Sequence, residues 1–167
     1  MISNNKEIIY LDESGFVKNF IRKFGYSKRG VKINDNKIGN RAKNTRTTVI
    51  SAYSNKKFLA PFYFEGNTDT EIFLYWIKRF LCPNLQSNHV VIMDNASFHK
   101  SPKIRQLIES KGAKLLYLPT YSPDLNPIEH RWGSLKRNLE LIQTNTDNFN
   151  QHLDYFLCNK KYQEISY

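Results

Sequence analysis

The order of elements along this 167-residue chain predicts an α/β fold: a mixed five-stranded sheet, three antiparallel strands and then two parallel ones, with helices on both faces. Three observations carry that reading. The first half of the chain patterns as strands joined by short turns, and the second half alternates helix with strand. Two of the strands are also apolar on both faces, which suits the middle of a covered sheet.

The first strand is Ile8-Ile9-Tyr10-Leu11-Asp12, which Asp12 ends, and Phe16 to Phe24 alternates only loosely after it. Thr47 to Tyr53 and Lys57 to Phe64 follow as strands, with a turn around Ser54-Asn55. Thr68-Asp69-Thr70-Glu71 has the form of a capping box, and Ile72, Phe73, Trp76, Ile77 and Phe80 continue with helical spacing until Pro83. Val90-Val91-Ile92-Met93-Asp94 is the second buried strand. Ser101-Pro102 then opens a helix with Ile104, Leu107 and Ile108 inward, and Gly112 stops it. Ala113 to Leu118 is the last strand. A proline-bearing loop, Pro119 to Asn126, leads into a helix carrying one narrow stripe of Ile128, Trp132, Leu135, Leu139 and Ile142. A final amphipathic helix spans about Asp147 to Lys160 and uses Phe149, Leu153, Phe156 and Leu157. Three antiparallel strands, a helix, then strand-helix-strand-helix is the ribonuclease H-like order.

With 40 % hydrophobic residues, residues 1–167 fit a single domain with a real core. No stretch approaches the roughly 18 apolar residues of a membrane span, and Met1 to Lys6 lacks the apolar region of a signal peptide, so a cytoplasmic protein is expected. Cys82 and Cys158 match no metal or redox spacing and are expected to be reduced, buried thiols. The formal charge of +10 favours a polyanionic partner. Nine of the 25 basic residues lie between Arg22 and Arg46 against one acid, Asp35. That span, with Gly25, Gly30 and Gly39, reads either as a solvated connection or as an arm that contacts nucleic acid through Lys28, Arg29 and Lys32.

An aspartate at the end of a wholly apolar strand places charge beside a low-dielectric interior, where it needs protons, donors or a cation. The chain does this at Asp12 and again at Asp94. Ile8, Tyr10 and Asp12 share one strand face, as do Val90, Ile92 and Asp94, so neighbouring strands bring both carboxylates to one spot. Glu129, in the first turn of the helix opened by Asn126-Pro127, lies just beside that helix's buried stripe. Taken singly, each has a plainer explanation: Asp12 and Asp94 as polar turns, Glu129 as the third residue of a capping pair. Together they suit a hard cation with oxygen ligands, Mg²⁺ or Mn²⁺. Two ions roughly 3.5–4 Å apart can activate a water or 3′-hydroxyl and stabilise the leaving oxygen at phosphorus, with Asp12 bridging them.

The residues around these carboxylates carry a resemblance. Tyr-Leu-Asp-Glu-Ser-Gly-Phe (10–16), Met-Asp-Asn-Ala-Ser-Phe-His (93–99) and Leu-Pro-Thr-Tyr-Ser-Pro-Asp-Leu-Asn-Pro-Ile-Glu-His-Arg-Trp (118–132) resemble the DDE transposases of the mariner-like superfamily, in particular their bacterial insertion-sequence branch. The spacing of 34 residues between Asp94 and Glu129 agrees with that branch. The resemblance covers nearly the whole chain, and the long third motif is highly specific. It implies a ribonuclease H-like catalytic domain with Asp12, Asp94 and Glu129 as catalytic and metal-binding triad. It further implies Mg²⁺ or Mn²⁺, two ions, as cofactor, and cleavage and strand transfer on double-stranded DNA at transposon ends and target, in the bacterial cytoplasm at the nucleoid. Asn95 and His99 are weaker candidates for orienting phosphate or metal-bound water, and Lys136 for reaching a phosphate. Trp132 is expected in the core.

Members of the family carry helix-turn-helix modules before this domain, and this sequence starts eleven residues before Asp12. A separately encoded DNA-reading subunit, or a truncated remnant that binds DNA or a partner transposase without catalysis, is therefore an expectation beside the active enzyme. Dimerisation through residues 22–46 is another. A host ribonuclease H-like nuclease is disfavoured by the Ser-Pro-Asp-Leu-Asn-Pro loop.

Overall fold

The computed structural model describes residues 6–17, 46–120, 122–142 and 149–158. The strands are β1 (Glu7–Val17), β2 (Arg46–Ser54), β3 (Lys57–Glu65), β4 (His89–Met93) and β5 (Lys114–Tyr117). They form one sheet in the order β3-β2-β1-β4-β5. The first three are antiparallel neighbours, and β4 and β5 run parallel to β1. The helices are α1 (Thr70–Trp76), α2 (Pro102–Glu109), α3 (Pro127–Ile142) and α4 (Phe149–Cys158). This is the expected ribonuclease H-like arrangement.

Alternation along the strands makes two cores. Ile9 and Leu11 of β1 and Val91 and Met93 of β4 pack with Phe73, Trp76, Ile104 and Ile108 from α1 and α2. On the opposite face Phe16, Val49 and Phe58 meet Ile128, Trp132, Leu135 and Leu139 of α3 and Phe149, Leu153, Phe156 and Leu157 of α4. Trp132 stacks on Phe58 at 4.8 Å and meets Phe16 edge-on at 6.2 Å, which anchors α3 over β1 and β2.

The first strand does not end at Asp12. It continues to Val17 because β2 pairs with it from Tyr10↔Tyr53 to Val17↔Arg46. The parallel partner β4 pairs only from Glu7↔His89 to Tyr10↔Ile92. Beyond Tyr10 the two neighbours part, and a crevice opens where the strand order changes direction, the usual place for a ligand in an open α/β sheet. The β2–β3 turn is Asn55-Lys56, both at positive φ (48° and 62°), as a two-residue hairpin requires.

Three further expectations change. The cap of α1 is Asp69, whose carboxylate accepts from the Ile72 amide at 2.8 Å, so Thr68 is not the capping residue. Helical spacing does run on to Pro83, but as a π segment from Ile77 to Leu81 and a short 3₁₀ turn from Cys82 to Asn84. Of the cysteines, Cys82 is buried as expected, whereas Cys158 is exposed. Among the described residues no helix is long and apolar enough to cross a membrane.

Candidate active site

The three carboxylates line one cavity of about 350 Å³, shared with Asn95, Thr120 and Asn126. Asp12 stands on β1 two residues beyond the last parallel pair, on the face covered by α3. It is only 6 % exposed, and Trp132 Nε1 donates to its Oδ2 at 3.1 Å. Asp94 follows β4 directly and is half-buried. Its Oδ1 accepts from the Ala96 amide at 3.0 Å and contacts His99 Nδ1 at 2.5 Å. Glu129 is exposed in the first turn of α3, where its amide donates to the Asn126 carbonyl at 3.0 Å.

Electrostatics separate the two aspartates. Burial, and then the negative charges of Glu129, Glu13 and Asp94, push Asp12 up to about 8. The hydrogen bond from His99, with help from the Ala96 amide, holds Asp94 below the usual carboxylate range. Burial disfavours a charged His99, yet hydrogen bonds to Asp94 and Glu13 prevail and raise it to about 9.

The outer candidates fare unequally. Asn95 lines the cavity, with its Nδ2 3.4 Å from Thr120 Oγ1. His99 departs from expectation: its side chain is fully buried and both ring nitrogens are taken, Nδ1 by Asp94 and Nε2 by Glu13 at 2.7 Å, so it has no nitrogen to offer a phosphate. Lys136 is exposed on α3 with its Nζ 5.5 Å from the Phe16 ring centroid, and it is not part of the cavity wall. Lys28, Arg29 and Lys32, with the rest of segment 22–46 apart from Arg46, lie outside the described residues.

Three residues of the site escaped the sequence reading in the role they occupy. Trp132 is core, as expected, but is also the hydrogen-bond donor to Asp12. Glu13 points to the opposite face of β1 from Asp12 and meets His99 there, a contact across 86 positions that no local pattern signals. Asn126 is 3 % exposed in the cavity wall, and its Oδ1 has no hydrogen-bond partner among the described residues. Its place in the Ser-Pro-Asp-Leu-Asn-Pro loop was the available signal.

The donor set suits a hard divalent cation, because among the described residues the charges acting on the buried Asp12 carboxyl, those of Glu129, Glu13 and Asp94, are all negative and an orphaned amide oxygen stands nearby. Among the described residues, however, no three His, Cys, Asp or Glu side chains converge as a ready-made metal cage. Mg²⁺ is usually held in just this looser way, by one or two carboxylates, waters and substrate phosphate. The residues therefore fit a cation shared with a phosphodiester and do not fit a permanent structural ion.

A profile of the DDE superfamily endonucleases matches residues 7–155. The chain belongs to that family. Within it, this endonuclease domain is 38 % identical over 82 residues to the Tc1 transposase of Caenorhabditis elegans, covering 48 % of this chain and 30 % of that protein. It is 50 % identical over 44 residues to the Tc3 transposase of the same organism, covering 26 % and 13 % respectively. The mariner Mos1 paired-end complex with Mg shares its fold at a TM-score of 0.71 and 20 % identity, over 94 % of this chain and 49 % of that one. The Mos1 transposase catalytic domain with Raltegravir and Mg aligns at 0.57 and 15 % identity, over 92 % and 71 %. The chain thus spans less than a third of the curated transposases it matches and about half of the Mos1 chain in the paired-end complex.

Proposed function

We propose that this DDE endonuclease domain is the catalytic core of a transposase that cleaves double-stranded DNA at transposon ends and joins it to target DNA, with Asp12, Asp94 and Glu129 as its metal-binding triad. The observation that carries the reading is the crevice between β1 and β4, where a buried, charge-frustrated Asp12 and a pre-oriented Asp94 share a cavity with Glu129 from α3. Mg²⁺ or Mn²⁺ bound there, as two ions, would supply Lewis-acid activation of the attacking oxygen and stabilisation of the leaving one. Asp12, held at Oδ2 by Trp132 and also hydrogen-bonded by the Glu13 backbone, lines the cavity with its carboxyl. Asp94, engaged at Oδ1, offers Oδ2. Glu129, being exposed on the first turn of α3, can reach from the solvent side a cation shared with the phosphate. Asn95 and Asn126 supply amide groups for phosphate oxygens or waters in the wall.

The Mos1 structures described with Mg or Mn, and as paired-end complexes, support the cation and the DNA partner by analogy of fold. The net charge of +10 supports a polyanionic substrate, with Lys28, Arg29, Lys32 and Lys136 as phosphate contacts. A homodimer, a separately encoded DNA-reading subunit and a site of action at the nucleoid belong to the same proposal. The test is incubation of the purified chain with a labelled terminal-repeat duplex and Mn²⁺, beside Asp94→Asn and Glu129→Gln. Nicking that requires metal and disappears in both variants is the expected result. DNA binding without cleavage under any metal would replace the enzyme by a binding-only remnant.

A further inference from the structure

We infer that His99 is a positioning residue for Asp94: a Glu13–His99–Asp94 relay through the buried imidazole fixes one carboxylate oxygen from behind and aims the other into the cavity. The inference rests on the metal-site reading just proposed. Pairing between β1 and β4 ends at Tyr10↔Ile92, so no ladder bond ties the two strands at the level of Asp12 and Asp94. The relay bridges that gap. Glu13, on the face of β1 opposite Asp12, accepts His99 Nε2 at 2.7 Å, and His99 Nδ1 reaches Asp94 Oδ1 at 2.5 Å.

The imidazole has little room to drift. Its side chain is fully buried, with ring centroids of Phe73 and Phe98 at 4.4 and 4.3 Å, and its backbone carbonyl accepts the Tyr117 hydroxyl at 2.9 Å. Asp94 Oδ1 receives both the ring and the Ala96 amide, while Oδ2 takes part in neither bond. Asp94 therefore presents a single oxygen in a set direction. A ligating carboxylate held through an outer hydrogen bond loses affinity for its cation when that bond is removed, even though the ligand itself is intact.

The two ring nitrogens can be tested separately, because an Asn amide nitrogen falls near the position of Nδ1 and a Gln amide nitrogen near that of Nε2. His99→Asn keeps the bond to Asp94 and gives up Glu13, and His99→Gln does the reverse. Mn²⁺ is titrated into the purified Trp76→Phe background and read two ways: free Mn²⁺ by electron paramagnetic resonance, and quenching of the remaining Trp132, which donates to Asp12 beside the site. Asp94→Asn is the control. The expected result is Mn²⁺ affinity within about threefold of that background for His99→Asn and about tenfold or more weaker for His99→Gln. Equal affinity in both, or His99→Asn as weak as His99→Gln, overturns the positioning role and leaves His99 a core residue. If the unmodified chain shows no saturable Mn²⁺ site that Asp94→Asn removes, the metal reading itself falls and takes the inference with it. A measurement independent of how the variants fold uses the unmodified chain labelled with ¹⁵N-histidine. A strongly downfield proton on His99 Nδ1 supports the contact, and an Nδ1 without a proton overturns it.

Discussion

Replacing Asp12 by Asn should make the metal-free protein more stable, and by an amount that depends on pH. Asp12 keeps its proton in the folded state until about pH 8, whereas the unfolded chain releases it near 3.8. Between those values the folded state binds more protons, so the acid's contribution to stability is fully present below 3.8 and is lost as pH rises, at about 1.4 kcal/mol per pH unit. At pH 7 about three such units have accumulated, an effect on the order of 4 kcal/mol, which levels off above pH 8. Asn has nearly the same shape, can still accept the Trp132 Nε1 hydrogen bond through its carbonyl, and never ionises. Urea unfolding in chelator, followed by tryptophan fluorescence at pH 5, 6, 7 and 8, should show Asp12→Asn about 2–4 kcal/mol more stable at pH 7, with the gap shrinking steadily toward pH 5. Mg²⁺ should close the gap from the other side by stabilising only the parent chain through mass action. A gap independent of pH, or a variant less stable than its parent at pH 7, would refute the electrostatic account of Asp12.

Other expectations follow from single contacts. His99→Leu removes a ring whose pKa is raised to about 9, so its stabilisation is complete below pH 6.5 and fades as pH rises through 9; thermal unfolding should show a loss of about 3–5 kcal/mol at pH 6 that narrows at pH 10. Trp132→Phe keeps an aromatic ring against Phe58 and loses the donor to Asp12, an expected cost of about 1–3 kcal/mol by urea unfolding. Gly112 has φ +78°, and a Cβ there would lie 2.9 Å from that of Ser87; Gly112→Ala should therefore cost about 1–3 kcal/mol in the same assay. Asp69→Ala should remove about 1 kcal/mol by uncapping α1 at Ile72, read as a shifted urea midpoint with unchanged slope.

The amino-acid sequence by itself determined the order and type of the elements and the convergence of Asp12, Asp94 and Glu129 on one cavity, because both are written in local pattern. The runs Ile8–Leu11 and Val90–Met93 demand cover on both faces, strand alternation puts Asp12 and Asp94 on one side, and the Ile128–Trp132–Leu135–Leu139 stripe sets the helix that carries Glu129. What only the tertiary structure decided depends on pairing between distant segments. β1 runs on past Asp12 because its last residues, Glu13 to Val17, are held by β2, roughly thirty positions further along the chain, across the polar break Glu13-Ser14-Gly15. Whether Asp12 would be solvated or desolvated depended on Trp132 arriving from α3. His99 read as a candidate for orienting phosphate or metal-bound water because nothing near it in sequence announces Glu13, which reaches it only once β1 and β4 lie side by side. Periodicity records which way a residue points, but burial and hydrogen-bond partners are set by what the rest of the chain brings to that face.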